Sequence, residues 1–285
     1  MRVVCALSGG GAKSAAHLGA VKALEERGLT PAHYVATSTG AIVAACLASG
    51  LSYEQTLLRM TRLKHSDVAA PSGGAVLGYY SRSFLRGKPL RETIARLVPA
   101  RRFDELAVPL TVTAVDIENG QLVLFGAGGR EHVPLLDALY ASCALPVYYP
   151  AARIGGRSYV DGGLRAVLPI DVARRFDPDL IVAVSVGPSF NAEPVEHPAA
   201  VPRMLRTLGR TLGVMMAAQT EAVLESWRAC ATTGGNSGAP GRPPLLLVQP
   251  VVDAEATFAV EDVVHYVEEG YRATMRELSW NDLPR

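Results

Sequence analysis

Apolar residues gather along this chain in short continuous runs, separated by glycine-bearing turns and by stretches with a helical period. Residues 2–7 (RVVCAL) form the first run, short enough for a strand buried on both faces. Ser8, Gly9, Gly10 and Gly11 then predict a tight turn, and residues 12–27 carry Ala16, Ala20, Val21 and Leu24 at helical spacing. The pattern repeats at once: residues 33–36 predict a second strand, Ser38 follows it, and residues 40–48 predict a helix that stops at Gly50. Residues 108–116 and 121–125 read as strands flanking Glu118, Asn119 and Gly120, where Asn-Gly marks a hairpin turn. Further on, residues 135–144 predict a short helix broken by Pro146, and residues 180–186 a buried strand. Residues 205–224 predict a helical run, 245–249 a late strand and 261–278 a closing helix.

Other segments lack such a period. Residues 63–88 mix Gly73, Gly74, Gly78, Tyr79, Tyr80 and Phe84, which predicts a mobile loop with an exposed aromatic tip, either a plain surface loop or a lid touching a membrane. Residues 188–202 and 232–244, rich in Pro, Gly, Asn and Ser, predict flexible connections within one domain. The alternation of strands and helices predicts a three-layer α/β fold around a mainly parallel sheet with one antiparallel hairpin. One domain over residues 1–285 is expected, with a motif-bearing core at about 1–190 and a helical part with the late strand at 200–285. Ligands in such folds sit at the carboxyl ends of strands, so the turns at 8–11 and 37–40 should share one edge.

Bulk properties narrow the function classes. At 285 residues and 49% apolar content the chain can bury a sizeable core, and a formal net charge of +1 with scattered Lys and Arg argues against nucleic acid as a partner. The start, MRVVCALSGGG, lacks the longer apolar stretch of a secretory signal, and no apolar window reaches the roughly 18 residues of a membrane helix. A cytoplasmic protein, at most peripheral at a membrane, is expected. Cys5, Cys46, Cys143 and Cys230 show no spacing suited to zinc and read as reduced, buried thiols.

Three stretches carry candidate chemistry. Ala36, Thr37, Ser38, Thr39 and Gly40 match the nucleophile elbow G-x-S-x-G with alanine in the first glycine position; a serine before glycine also starts helices simply as a cap. Gly9, Gly10 and Gly11 offer unshielded backbone N–H groups at a helix amino terminus, where an oxyanion would be stabilised; alternatively the turn needs glycine only for its backbone angles. Asp161, before Gly162 and Gly163, puts a carboxylate at a strand end, or serves as a turn residue. Residues 9–14 (GGGAKS) superficially match nucleotide-binding loops. A Walker loop, however, would need glycine at Leu7 and Ala12, and a dinucleotide loop would need glycine at Ser14 and an acid closing the second strand.

Taken in order, SGGGAKSAAHLGA, ATSTG, ASCALPVYYPA and YVDGGL resemble the patatin-like phospholipase family over roughly the first 170 residues. The resemblance implies a patatin-like three-layer sandwich related to the α/β-hydrolase architecture. It implies a lipid acyl hydrolase with Ser38 as nucleophile, Asp161 as base, and oxyanion donors at Gly9, Gly10 and Gly11. Lys13, Ala36, Gly40, Gly162 and Gly163 would support the motifs, no metal or cofactor would be needed, and the substrate would be a lipid or phospholipid ester met by transient contact with a membrane surface. The chain departs from the family pattern at Ala36, at Ser14 in place of the last loop glycine, at Lys13 where arginine is commoner, and at Val167 where asparagine is frequent.

Two alternatives stand beside this reading. A Ser-His-Asp hydrolase would draw its base from the six histidines, with His17 on the first helix and His265 late in the chain as the ones to weigh. A non-catalytic lipid-binding or regulatory domain would keep the fold without turnover. Met215 and Met216 predict either an adaptable lipid-contacting face or core packing, and Lys13 either steers an anionic phosphate or holds the loop.

Overall fold

A computed structural model of the chain describes residues 1–71, 83–187, 203–232, 242–252 and 258–280. Its strands form one eight-stranded sheet. β1 (Val3–Leu7) lies inside it with every residue buried, as a parallel strand covered on both faces requires. On one side β1 pairs in parallel with β2 (Pro31–Thr37), and β2 with β3 (Leu110–Asp116). On the other side it pairs in parallel with β7 (Leu180–Val184), and β7 with β8 (Leu245–Val248). The antiparallel part exceeds the single hairpin predicted. β4 (Leu122–Gly126) folds back on β3, and a second hairpin of β5 (Ala152–Ile154) and β6 (Arg157–Asp161) joins β3 through β6. At its tip Gly155 and Gly156 adopt φ of 57° and 80°, the left-handed backbone that a tight hairpin demands.

Alternation along β1 divides the core in two. Val3, Cys5 and Leu7 face a helical layer that includes α1 (Ala16–Glu26), α2 (Thr39–Ala48), α5 (Gly87–Leu97), α6 (Leu135–Cys143) and α9 (Val263–Trp280). Val4 and Ala6 face α7 (Ile170–Ala173) and the Leu224 and Trp227 side of α8 (Arg203–Thr232). Three layers result. α1 and α9 meet at backbone distance, since a Cβ on Gly19 would overlap the Val267 carbonyl oxygen and one on Gly270 would overlap that of Ala16.

The predicted helix at 12–27 is divided: Gly11–Ala15 form a 3-10 turn and α1 proper begins at Ala16. Four of the described α-helices were not predicted, the short α7 among them. α3 (Tyr53–Met60) opens on a capping box, with Ser52 Oγ accepting from the Gln55 N–H at 3.2 Å and Gln55 Oε1 from the Ser52 N–H at 3.0 Å. α4 (His65–Val68) and the start of α5 fall inside the predicted loop 63–88, where Phe84 packs partly buried on the core. The aromatic tip at Tyr79 and Tyr80, the connection 188–202 and most of 232–244 lie outside the described residues. No described helix is long and apolar enough to cross a membrane.

β3 determines how distant segments meet. Thr113 pairs with Leu124 of β4 and with Thr37 of β2, whereas Ala114 pairs with Val123 of β4 and with Asp161 of β6. A strand has two edges, and β4 takes one of them along this stretch. β2 and β6 therefore share the other edge end to end, which brings the last residue of β6 beside the residue that follows β2.

Candidate active site

Ser38 lies at the bend between β2 and α2 with φ 54° and ψ −134°, a left-handed conformation that a residue with a Cβ adopts at a cost of about 1–3 kcal/mol. The surroundings hold it there. The Thr37 hydroxyl donates to the Ala166 carbonyl at 2.7 Å and accepts from the Thr113 hydroxyl at 2.7 Å, and the Ser38 N–H donates to Ser142 Oγ at 2.7 Å. Such a bend lifts the serine hydroxyl off the strand end, where a substrate can reach it. The second elbow glycine has a steric cause: a Cβ on Gly40 would overlap the Ser8 carbonyl oxygen and stand 3.1 Å from that of Leu7. Gly40→Ala is expected to destabilise the protein by about 2 kcal/mol, read as a lower urea midpoint, because backbone rather than a flexible side chain must move. Ala36 sits before the bend, fully buried in β2 opposite Leu7, so its methyl group is ordinary strand packing.

Asp161 closes β6 with only 4% of its surface exposed. Its Oδ2 accepts from the Ser38 hydroxyl at 2.7 Å, and its Oδ1 accepts from the Gly163 N–H at 2.7 Å. Burial pushes its pKa up to about 6, against the opposing pull of the Gly163 N–H and the Ser38 hydroxyl. Gly162 and Gly163 allow the close approach: a Cβ on Gly162 would overlap the Thr113 hydroxyl, and one on Gly163 would stand 3.1 Å from Asp161 Oδ1 and 3.2 Å from Met216 Cε of α8.

The glycine turn lies against the same bend, since a Cβ on Gly9 would stand 3.0 Å from Ser38 Cβ. The three glycines are not equivalent. The Gly9 N–H donates to the Val167 carbonyl at 3.2 Å, so its amide is already engaged, and Gly9 is buried. Gly10, whose Cβ would meet Val186 Cγ2 at 2.7 Å, and Gly11, at φ 64°, are half-exposed. Val167 contributes a backbone carbonyl, for which the side chain at that position is immaterial.

The remaining sequence candidates are placed as follows. Lys13 is 3% exposed within the 3-10 turn, a position suited to holding the loop rather than to meeting a phosphate in solvent. His17 is fully buried, donates from Nε2 to the Ser8 carbonyl at 2.8 Å, and is kept neutral by burial, its pKa lowered to about 4. His265 is exposed on α9. Met215 is 56% exposed, whereas Met216 is half-buried on Gly163, so the pair is divided between surface and site. Cys5, Cys46 and Cys143 are buried free thiols. Ser142, which pins the elbow amide, was not singled out in the sequence; the available signal was its place in the ASCALP stretch. Two described surface cavities, about 230 Å³ beside Lys22, Glu25 and Tyr34 and about 440 Å³ beside Arg91 and Tyr140, touch neither Ser38 nor Asp161.

The chain is similar to known proteins. The chain is 30% identical over 226 residues to an uncharacterized NTE family protein of Mycobacterium tuberculosis, a match covering 76% of this chain and 59% of that protein. It is 28% identical over 187 residues to the mouse patatin-like phospholipase domain-containing protein 7, covering 65% of this chain and 14% of the relative. Among solved structures, VipD from Legionella pneumophila superposes with a TM-score of 0.51 at 16% identity, covering 98% of this chain and 67% of VipD, a likeness of fold. The family model for patatin-like phospholipases matches residues 5–174, a span that opens in β1 and closes just beyond α7 and includes both Ser38 and Asp161. On that match, the chain belongs to the patatin-like phospholipase family.

Proposed function

We propose that this protein is a serine acyl hydrolase of lipid esters, phospholipids or related lipids, that works through an acyl-enzyme on a Ser38–Asp161 dyad. The observation that carries the reading is the 2.7 Å hydrogen bond from the Ser38 hydroxyl to a buried carboxylate, made from a strained elbow. With a pKa of about 6, Asp161 is ionised at neutral pH yet far more basic than a solvated carboxylate. It remains a weak base for a serine hydroxyl, so proton transfer accompanies attack on the carbonyl carbon, and the oxyanion must be stabilised as it forms. The half-exposed N–H groups of Gly10 and Gly11, with that of Thr39 at the start of α2, are the donors proposed for it; Gly9 serves by leaving room for Ser38.

Collapse of the tetrahedral intermediate breaks the ester C–O bond, and the proton held by Asp161 passes to the departing alcohol or lysolipid. A water molecule, deprotonated by Asp161, then releases the fatty acid and restores Ser38. No step calls on a metal or cofactor. Val214 and Met215, 46% and 56% exposed on α8, are the apolar surface proposed for transient contact with a lipid surface. The whole chain is proposed to act as one domain, because α8 packs on Gly163 beyond the end of the family match.

A fluorophosphonate probe tests the nucleophile. One adduct per chain is expected, on the peptide that holds Ser38, with none in Ser38→Ala; labelling that survives the substitution would overturn the assignment. Hydrolysis of phospholipid vesicles alongside short-chain esters tests the substrate class, and activity confined to short esters would remove the lipid part of the proposal.

A further inference from the structure

The oxyanion donors proposed above belong to two separately tethered segments, Gly10 and Gly11 to the 3-10 turn after β1 and Thr39 to the first turn of α2. Donors from two segments stabilise one oxygen only while their spacing is held to a fraction of an ångström. Each segment is anchored to the sheet on its own account. The Ser8 hydroxyl accepts from the Val186 N–H at 2.9 Å and the Ser8 carbonyl from His17 at 2.8 Å, while the elbow is held by Ser142 and Thr113. A side-chain bond runs directly between them: Ser14 Oγ and Thr39 Oγ1 stand 2.6 Å apart, with Ser14 2% exposed.

Resting on the proposed acyl-transfer reading, we infer that Ser14 and Thr39 are positioning residues that lock the glycine turn to the elbow and so set the width of the oxyanion hole. Two features make the bond a spacer rather than incidental packing. It is short and largely withdrawn from water, so a lost partner is not replaced freely by solvent. It also joins Thr39, the residue directly after the nucleophile, to the turn that presents Gly10 and Gly11.

The test is a double-mutant cycle with Ser14→Ala, Thr39→Val and the pair combined, each assayed for steady-state ester hydrolysis and for fluorophosphonate labelling, on protein whose thermal unfolding is recorded in parallel. Each single change is expected to lower kcat about 10-fold to 100-fold at nearly constant KM, because misplaced donors weaken the transition state and not ground-state binding. The double variant should be no slower than the worse single one, since either change breaks the same bond. Ser14→Thr, which keeps the hydroxyl, should restore most of kcat. Unchanged kcat in both single variants, multiplicative losses in the double, or a loss that tracks melting temperature and is not rescued by Ser14→Thr would each overturn the inference. Failure of the underlying reading looks different: the unaltered protein would then neither turn over esters nor take the label.

Discussion

Asp161→Asn should lower ester turnover by about 10⁴-fold and at the same time make the protein harder to unfold at neutral pH. The catalytic loss follows because the amide cannot accept the Ser38 proton, although its oxygen can still accept the Gly163 N–H. The gain in stability follows from the sign of the pKa shift. The folded pKa of about 6 lies above the value near 3.9 of an exposed aspartate, so folding disfavours the ionised form. Above pH 6 both folded and unfolded chains carry the charge, and the native state bears the whole cost of burying it. As pH falls from about 6 toward 3.9 the folded protein takes up a proton before the unfolded one does, and the cost disappears. A shift of about two pH units corresponds to at most about 3 kcal/mol, which the asparagine variant should recover at pH 8 and no longer show at pH 4. Paired urea titrations at those two pH values check it, and equal stability of the two proteins at both would refute it. The same ionisation should give kcat/KM a falling acid limb near pH 6.

The largest effect on stability is expected where α1 crosses α9. Placing a Cβ at Gly19 would overlap the Val267 carbonyl oxygen and stand 2.8 Å from the Tyr271 nitrogen, and a Cβ at Gly270 would meet the Ala16 backbone. All these neighbours are helix backbone, which cannot turn aside as a side chain can, so Gly19→Ala or Gly270→Ala must separate the helices. Separation loosens Leu18, Val263, Tyr266 and Val267, all buried there. A loss of about 3 kcal/mol per substitution, equivalent to roughly 5–10 °C in Tm, is expected. The double variant should lose less than the sum, because the first change already opens the crossing. Melting curves within 2 °C of the unaltered protein, a figure of about 1 kcal/mol or less, would refute the close-packing argument.

How far the sequence could be read depended on how each element earns its stability. β1 and β7 were legible because strands buried on both faces must be apolar throughout, and the Asn119-Gly120 turn announced β4. The elbow and the glycine turn were legible as small residues between strand and helix. α3 was overlooked because only Thr56 and Met60 of its eight residues are buried, although Ser52 and Gln55 at capping-box spacing were there to find. α5 buries Leu90, Ile94 and Leu97 at helical spacing, but it begins with Gly87 and carries Pro89, which favoured a loop reading of its start. That the Gly9 amide has a partner of its own was not legible, because that partner, Val167, is remote in sequence and no local pattern contains it. The helix-crossing glycines were likewise silent, since closeness between α1 and α9 is a property of the assembled fold.

The end-to-end meeting of β2 and β6 on one edge of β3 has a consequence for the life of the molecule before it is complete. Ser38 and Asp161 are 123 residues apart, and the carboxylate meets the serine hydroxyl only when Ala114 has been captured by β6. A nascent or half-unfolded chain can form the elbow and still hold no base. On the proposed dyad, such a chain would be inactive until its sheet is whole, and a one-residue slip of β6, which would turn Asp161 to the opposite face, would disarm it again. On that reading, activity would report late on correct assembly, through strand register.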